Sequence, residues 1–187
     1  FNEDISEWDV TNVTDMSDMF RDATSFNIDI SGWHVDNVRN ANRMFRGDTS
    51  FNQDISIWNV SNVTSMISMF RDASSFNKDI TKWNTSNVTD MTNLFYLAMI
   101  FNQNIGNWNT SNVTTMKQMF RGSGMVFKQT DIFKWDVTNV DNFDRMFAFN
   151  EAIKSTYTYP NGNKNTPMRH HFNLLQNGRF EENTISG

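Results

Sequence analysis

The sequence predicts an α/β repeat solenoid, with short parallel strands along one side and short helices along the other. Three observations carry this expectation. Phe-Asn pairs stand at Phe1-Asn2, Phe26-Asn27, Phe51-Asn52, Phe76-Asn77 and Phe101-Asn102, 25 residues apart each time. Trp8, Trp33, Trp58, Trp83 and Trp108 keep the same step, and Trp135 follows after 27. Met19-Phe20, Met44-Phe45, Met69-Phe70, Leu94-Phe95, Met119-Phe120 and Met146-Phe147 repeat the rhythm a third time. A unit this small cannot bury its own apolar face and must stack on its neighbours.

Each element of the unit has its own signal. From Phe1 to Trp8, polar Asn2, Glu3, Asp4 and Ser6 surround Ile5, which suits a short extended segment with one side inward. Val13, Met16, Met19 and Phe20 follow at i, i+3, i+6 and i+7, the spacing of a helical face. Thr11-Asn12 stands where capping side chains would serve that helix. Arg21 to Ser25 reads as a polar turn back to the next Phe. Six such coils span residues 1–147, the two-residue slip falling between Arg121 and Trp135. Equivalent Phe, Trp, Ile, Val and Met side chains then form ladders through the interior, with Met filling between stiffer rings.

Composition bounds the chemistry. Among 187 residues there is no Cys, which excludes disulfides, thiolate metal sites and cysteine nucleophiles. The 17 Phe and 6 Trp are too many for a disordered polar chain. Leu occurs only four times and Asn 27 times. A net charge of −5 disfavours generic nucleic-acid binding, and no apolar run is long enough to span a bilayer.

Units such as FNQDISIWNVSNVTSMISMFRDASS, with F-N-x-D-I-S-x-W followed by N-V-T-x-M-x-x-M-F, resemble the BspA-like leucine-rich-repeat proteins. Relatives of that kind occur among mycoplasma lipoproteins, Listeria surface proteins, protists and large viruses. The resemblance covers Phe1 to about Phe147. It implies a leucine-rich-repeat-like solenoid, an extracellular, cell-surface or virion location, and adhesion or protein–protein interaction. The chain departs from the pattern at Asn104, in place of the repeated Asp, and at Gly106, in place of Ser.

Both prolines, Pro160 and Pro167, fall in the last forty residues. Charge changes there too: residues 1–147 carry 12 Lys+Arg and 18 Asp+Glu, residues 148–187 carry 4 and 3. Residues 148–187 are therefore expected to form a C-terminal cap and partly flexible tail. Phe1 opens directly in a repeat, so either an N-terminal cap has been removed or further repeats precede it.

Several columns invite a chemical reading. Asp4, Asp29, Asp54 and Asp79 could line a Ca²⁺-binding edge, yet Asn104 at the same position favours simple acceptance of backbone N–H groups. Asn2 and Asn12 with their equivalents fit coil-to-coil hydrogen bonding. The N-x-S/T triplets at Asn12, Asn59, Asn62, Asn84, Asn87, Asn109 and Asn112 fall out of the repeat, with Thr14, Thr64, Thr89 and Thr114 serving helix starts. Arg21, Arg46, Arg71 and Arg121 could grip an anionic polymer, but Asp22 and Asp72 favour solvated Arg–Asp ladders. His34, His170 and His171 form no metal constellation. No cofactor is implied, and no singular acid–base or nucleophile set rises above the repeat, so the chain is not expected to be an enzyme.

What varies between units is the remaining signal. One strand position reads Glu3, Ile28, Gln53, Lys78, Gln103; another reads Glu7, Gly32, Ile57, Lys82, Asn107. Pointing outward together, eight of these (Glu3, Glu7, Ile28, Gln53, Ile57, Lys78, Lys82 and Gln103) and Asn107 would form an extended strip for a protein or glycan partner. Apolar Ile28 and Ile57 on a polar strip favour contact. The expected function is thus a non-catalytic binding or adhesion module presenting a parallel-sheet face. The alternative is a structural component of a larger assembly, such as a capsid or envelope, with neighbouring subunits as partners. Light scattering separates the two: a soluble monomer for the first, oligomers for the second.

Overall fold

In the computed structural model, which describes residues 1–124, 132 and 134–149, the units stack but do not build an α/β solenoid. Apart from 3₁₀ geometry at Ile132 and Lys134, no helix forms among the described residues. Parallel bridges join Asp15 to Asn40, Asn40 to Ser65, Ser65 to Asp90, Asp90 to Thr115 and Thr115 to Asn142. One bridged residue per coil is no sheet, so both the strand side and the helix side of the leucine-rich-repeat-like expectation are corrected. The coils are made of turns.

Met16 to Ala23 shows why the helix fails. The N–H groups of Met19, Arg21 and Ala23 donate to the carbonyls of Met16, Asp18 and Phe20, at 3.4, 3.1 and 3.1 Å. The amides between them leave the coil. Those of Met16, Asp18, Phe20 and Asp22 donate to Asn40, Asn42, Met44 and Arg46 of the next coil, at 2.9, 2.9, 2.9 and 2.7 Å. A helix would send all of them four residues back along its own chain. Asp18 and Asp22 have φ of 59° and 57°, the left-handed third position of a type II turn. Arg43, Ser68, Asn93, Gln118 and Arg145 repeat the first, and Gly47, Asp72, Leu97, Gly122 and Phe149 the second. Tandem turns return Met16 and Phe20 to the interior as a helix would, so the apolar spacing cannot separate the two.

The expected strand from Phe1 to Trp8 is likewise a pair of bends. Ser6 N–H donates to Asp4 Oδ1 at 3.0 Å, and Trp8 N–H donates to the Ile5 carbonyl at 3.1 Å. The expected helix cap is also replaced. Asn37 Nδ2 donates to the Thr11 carbonyl at 2.8 Å, and Asn62, Asn87, Asn112 and Asn139 repeat this reach into the preceding coil. Thr64, Thr89 and Thr114 hydroxyls donate to carbonyls one coil back, not to helix starts.

Inside lies a dry ladder of rings. Phe26, Phe51, Phe76 and Phe101 are fully buried and stack with centroids 5.9–6.0 Å apart. A second column, Phe20, Phe45, Phe70, Phe95, Phe120 and Phe147, steps by 5.6–5.8 Å. The two columns interlock, with Phe45 and Phe51 3.9 Å apart and 11° from parallel. Each such ring removes ~150–250 Å² from water, about 4–6 kcal/mol before chain entropy is subtracted. The Trp column needs its indole as well as its area. Trp33, Trp58, Trp83, Trp108 and Trp135 donate Nε1–H to Ile5, Ile30, Ile55, Ile80 and Ile105 carbonyls at 3.0–3.2 Å. Trp135 keeps this bond across the longer step, so the slip is absorbed before it. The expected cap over 148–187 lies, apart from Ala148 and Phe149, outside the described residues.

Candidate functional site

The two variable columns behave differently once folded. Glu7, Gly32, Ile57, Lys82 and Asn107 are exposed in every coil, Ile57 at 76%. The other column turns partly inward after exposed Glu3. Ile28 packs against the core, and Lys78 is half-buried. The Gln53 and Gln103 amides donate to the carbonyl and side chain of Asn27 and Asn77, at 2.7–3.0 Å. Hence the structure does not gather all nine residues on one flat sheet face. Glu7, Ile57, Lys82 and Asn107 share one outer column, and the glutamines serve the frame.

The recurring polar columns are occupied by local bonds. Ser31, Ser56 and Thr81 N–H groups donate to Asp29, Asp54 and Asp79, as Ser6 does to Asp4, and Gly106 N–H donates to Asn104. Backbone N–H and then hydroxyl donation from the serine hold the Asp4, Asp29 and Asp54 carboxyls below the ordinary range. For Asp79 the Thr81 hydroxyl is the larger influence. Asn27, Asn52, Asn77 and Asn102 N–H groups donate to the side-chain oxygen of the Asn one coil back, at 2.8–3.0 Å. Among the described residues no three His, Asp or Glu side chains converge as metal ligands. His34 lies exposed, 3.9 Å from Asp36, while His170 and His171 fall outside the described residues.

Three features escape the repeat and were not separated by spacing alone. Asp48 occupies the position held by Ala23, Ala73 and Ala98, and is fully buried. Its Oδ1 accepts Ser50 and Phe51 N–H at 3.1 Å, while Oδ2 has no partner. Burial pushes its carboxyl up to about 6. Tyr96-Leu97-Ala98-Met99-Ile100 replaces the polar corner of earlier coils, leaving Leu97, Met99 and Ile100 exposed.

The third feature is charge on the tandem-turn edge. It carries Arg21, Arg43, Arg46, Arg71, Lys117, Arg121 and Arg145 against Asp18, Asp22, Asp72 and Asp144. Arg21 and Arg71 pair with neighbouring Asp22 and Asp72 at 3.4 and 3.1 Å. Gly47 and Gly122 stand where those aspartates would, and Arg46 and Arg121 have no ion pair among the described residues. Arg71 and Arg121 lie over the Tyr96 ring at 4.5 and 5.5 Å, and Arg121 over Phe149 at 5.1 Å.

Turn-built coils locked by ring ladders and coil-to-coil hydrogen bonds define a tandem-repeat protein whose recurring residues are spent on its own frame. A family model described as "Mycoplasma protein of unknown function, DUF285" matches residues 1–96 and again 65–184. The chain belongs to that family. Neither the comparison with curated proteins nor that with solved structures returned a match.

Proposed function

We propose that the chain is a non-catalytic binding module whose outer column of Glu7, Gly32, Ile57, Lys82 and Asn107 meets a protein or glycan. The observation that carries this is the contrast between columns. Residues that recur are consumed in packing and hydrogen bonding, whereas this column changes identity from coil to coil and stays exposed throughout. The apolar Ile57, held at 76% exposure within this column, supports the reading. Placement outside the cell or at its surface, and a role in adhesion, follow from the BspA-like resemblance of the repeat motif.

The test is a combined Ile57→Ser, Lys82→Ala, Asn107→Ala variant probed on printed peptide and glycan arrays beside the parent chain. The parent should retain a defined set of ligands that the variant loses at unchanged melting temperature. The same ligand set on both proteins would remove the column from consideration.

A further inference from the structure

We propose that the tandem-turn edge is a docking rail for an acidic polysaccharide of sparse charge, laid along the stack and held by Arg46 and Arg121. The proposal rests on the chain being a binding module, but it uses an edge distinct from the outer column.

Arg21, Arg46, Arg71 and Arg121 hold one position in their coils, with Tyr96 in the coil between the last two. The Phe preceding each is stacked on the next at 5.6–5.8 Å, so these positions recur along one edge at that step. Like charges along such an edge repel unless anions lie between them. For Arg21 and Arg71 the chain supplies Asp22 and Asp72. For Arg46 and Arg121 it supplies glycine at the same place; the Asp22 carboxylate of the preceding coil lies against Gly47 without forming an ion pair to Arg46, and apolar Leu97 lies against Gly122. Both arginines are half-buried, which limits the rotamer freedom they would lose on binding.

Aromatic contacts build the Arg121 end of the site. Tyr96 lies beneath Arg71 and Arg121, and Phe149 beside Arg121. A guanidinium lying on a ring keeps its N–H edge free for a two-pronged bond to carboxylate or sulfate. Arg46 and Arg121, three coils apart and without an ion pair among the described residues, match a polymer whose anionic groups are separated by neutral sugars. A densely charged nucleic acid is a poorer match, since the whole chain carries a net −5 and repels it at longer range.

The experiment compares the full chain with Arg46→Gln, Arg46→Lys, Arg46→Gln/Arg121→Gln and Arg39→Gln. The probes are a uronate-containing polysaccharide, neutral dextran and an oligothymidylate of equal charge. The expected result is saturable binding of the uronate polymer only, weakened at least tenfold in the double variant and less in Arg46→Lys. Arg39→Gln, an equal loss of charge elsewhere in the same coil, should leave affinity unchanged. Equal loss in Arg39→Gln, no uronate binding at physiological salt, or tighter binding of the oligothymidylate would each overturn the proposal. Arg46→Lys keeps the charge without the planar fork, so the outcome does not depend on the double variant folding well. Array results for the Ile57, Lys82 and Asn107 variant are independent of all these outcomes.

Discussion

Arg43 holds both carboxylate oxygens of Asp18 from one coil away, through Nε at 2.7 Å and Nη2 at 2.5 Å. The two residues occupy the same left-handed position in successive coils, so the repeat brings them together although they are 25 residues apart. The side chains remain about a third exposed, and solvent screens the pair. A double-mutant cycle on Asp18→Ala and Arg43→Ala should therefore give a coupling of no more than ~1 kcal/mol. The bond from Arg43 holds the Asp18 carboxyl low. The contribution should be intact above the ordinary value of 3.8 and vanish as pH falls through the depressed one, which urea unfolding between pH 2 and 6 would read.

Asp48 should behave in the opposite sense. Its carboxyl is raised from 3.8 to about 6, so stability is greatest below 3.8 and declines as pH climbs through that window. The decline should be roughly 2–3 kcal/mol. Asp48→Ala should remove it, since Phe51 N–H can then bond the residue-48 carbonyl as Phe76 N–H does with Ala73. Thermal melts at pH 4 and 7.5 test this: the variant should gain on the parent at pH 7.5. A parallel pH profile in both proteins would refute the assignment.

The Trp58 column separates area from hydrogen bonding. Trp58→Ala should cost ~3–5 kcal/mol, as large buried aromatics do. Trp58→Phe keeps a ring but leaves the Ile30 carbonyl without its 3.2 Å indole donor, at a cost of about 1–3 kcal/mol. Denaturant midpoints for the two variants should fall in that order.

Asp54 and Asn104 offer a substitution the chain has already made. Both accept the N–H two residues on, at 2.9 and 3.0 Å. Asp54→Asn should therefore change stability by less than ~0.5 kcal/mol, while Asp54→Ala, losing the acceptor, should cost about 1 kcal/mol. Calorimetry on both variants would show whether charge or acceptor matters at this bend.

The period, the aromatic ladders and the stacking were legible in the sequence because ring burial depends on which residues recur, not on backbone details. The secondary structure was not. Val13, Met16, Met19 and Phe20 satisfy a helical face and a tandem-turn edge alike, and their spacing holds no information about where each N–H goes. A separate signal was present at the polar positions between them. Asp18, Asp22, Gly47, Asp72, Asn93 and Gly122 are residue types that tolerate left-handed φ, but only Asp18 and Asp22 form a complete pair within one coil; Arg43, Ser68, Leu97 and Gln118 at the partner positions dilute the signal. The variable strip was half legible: exposure at Ile57 and Lys82 follows from the pattern, but the inward bonds of Gln53 and Gln103 depend on Asn27 and Asn77 one coil back. Asp48 could be seen as an exception to alanine, and its burial only from coordinates.

Alternate amides of the turn edge point out of their own coil and are answered only by the next. Chain length within that edge is thereby quantised. Excising one whole 25-residue period would reseat every donor of that edge on an equivalent acceptor, whereas removing a single residue from within the edge, between Met16 and Asp22 or their equivalents, would throw the amides that follow it there off their mates; the two extra residues before Trp135 fall outside the edge and leave Phe147 stacked on Phe120. Proteins of this build can grow or shorten by whole periods while holding the lateral geometry of every remaining coil.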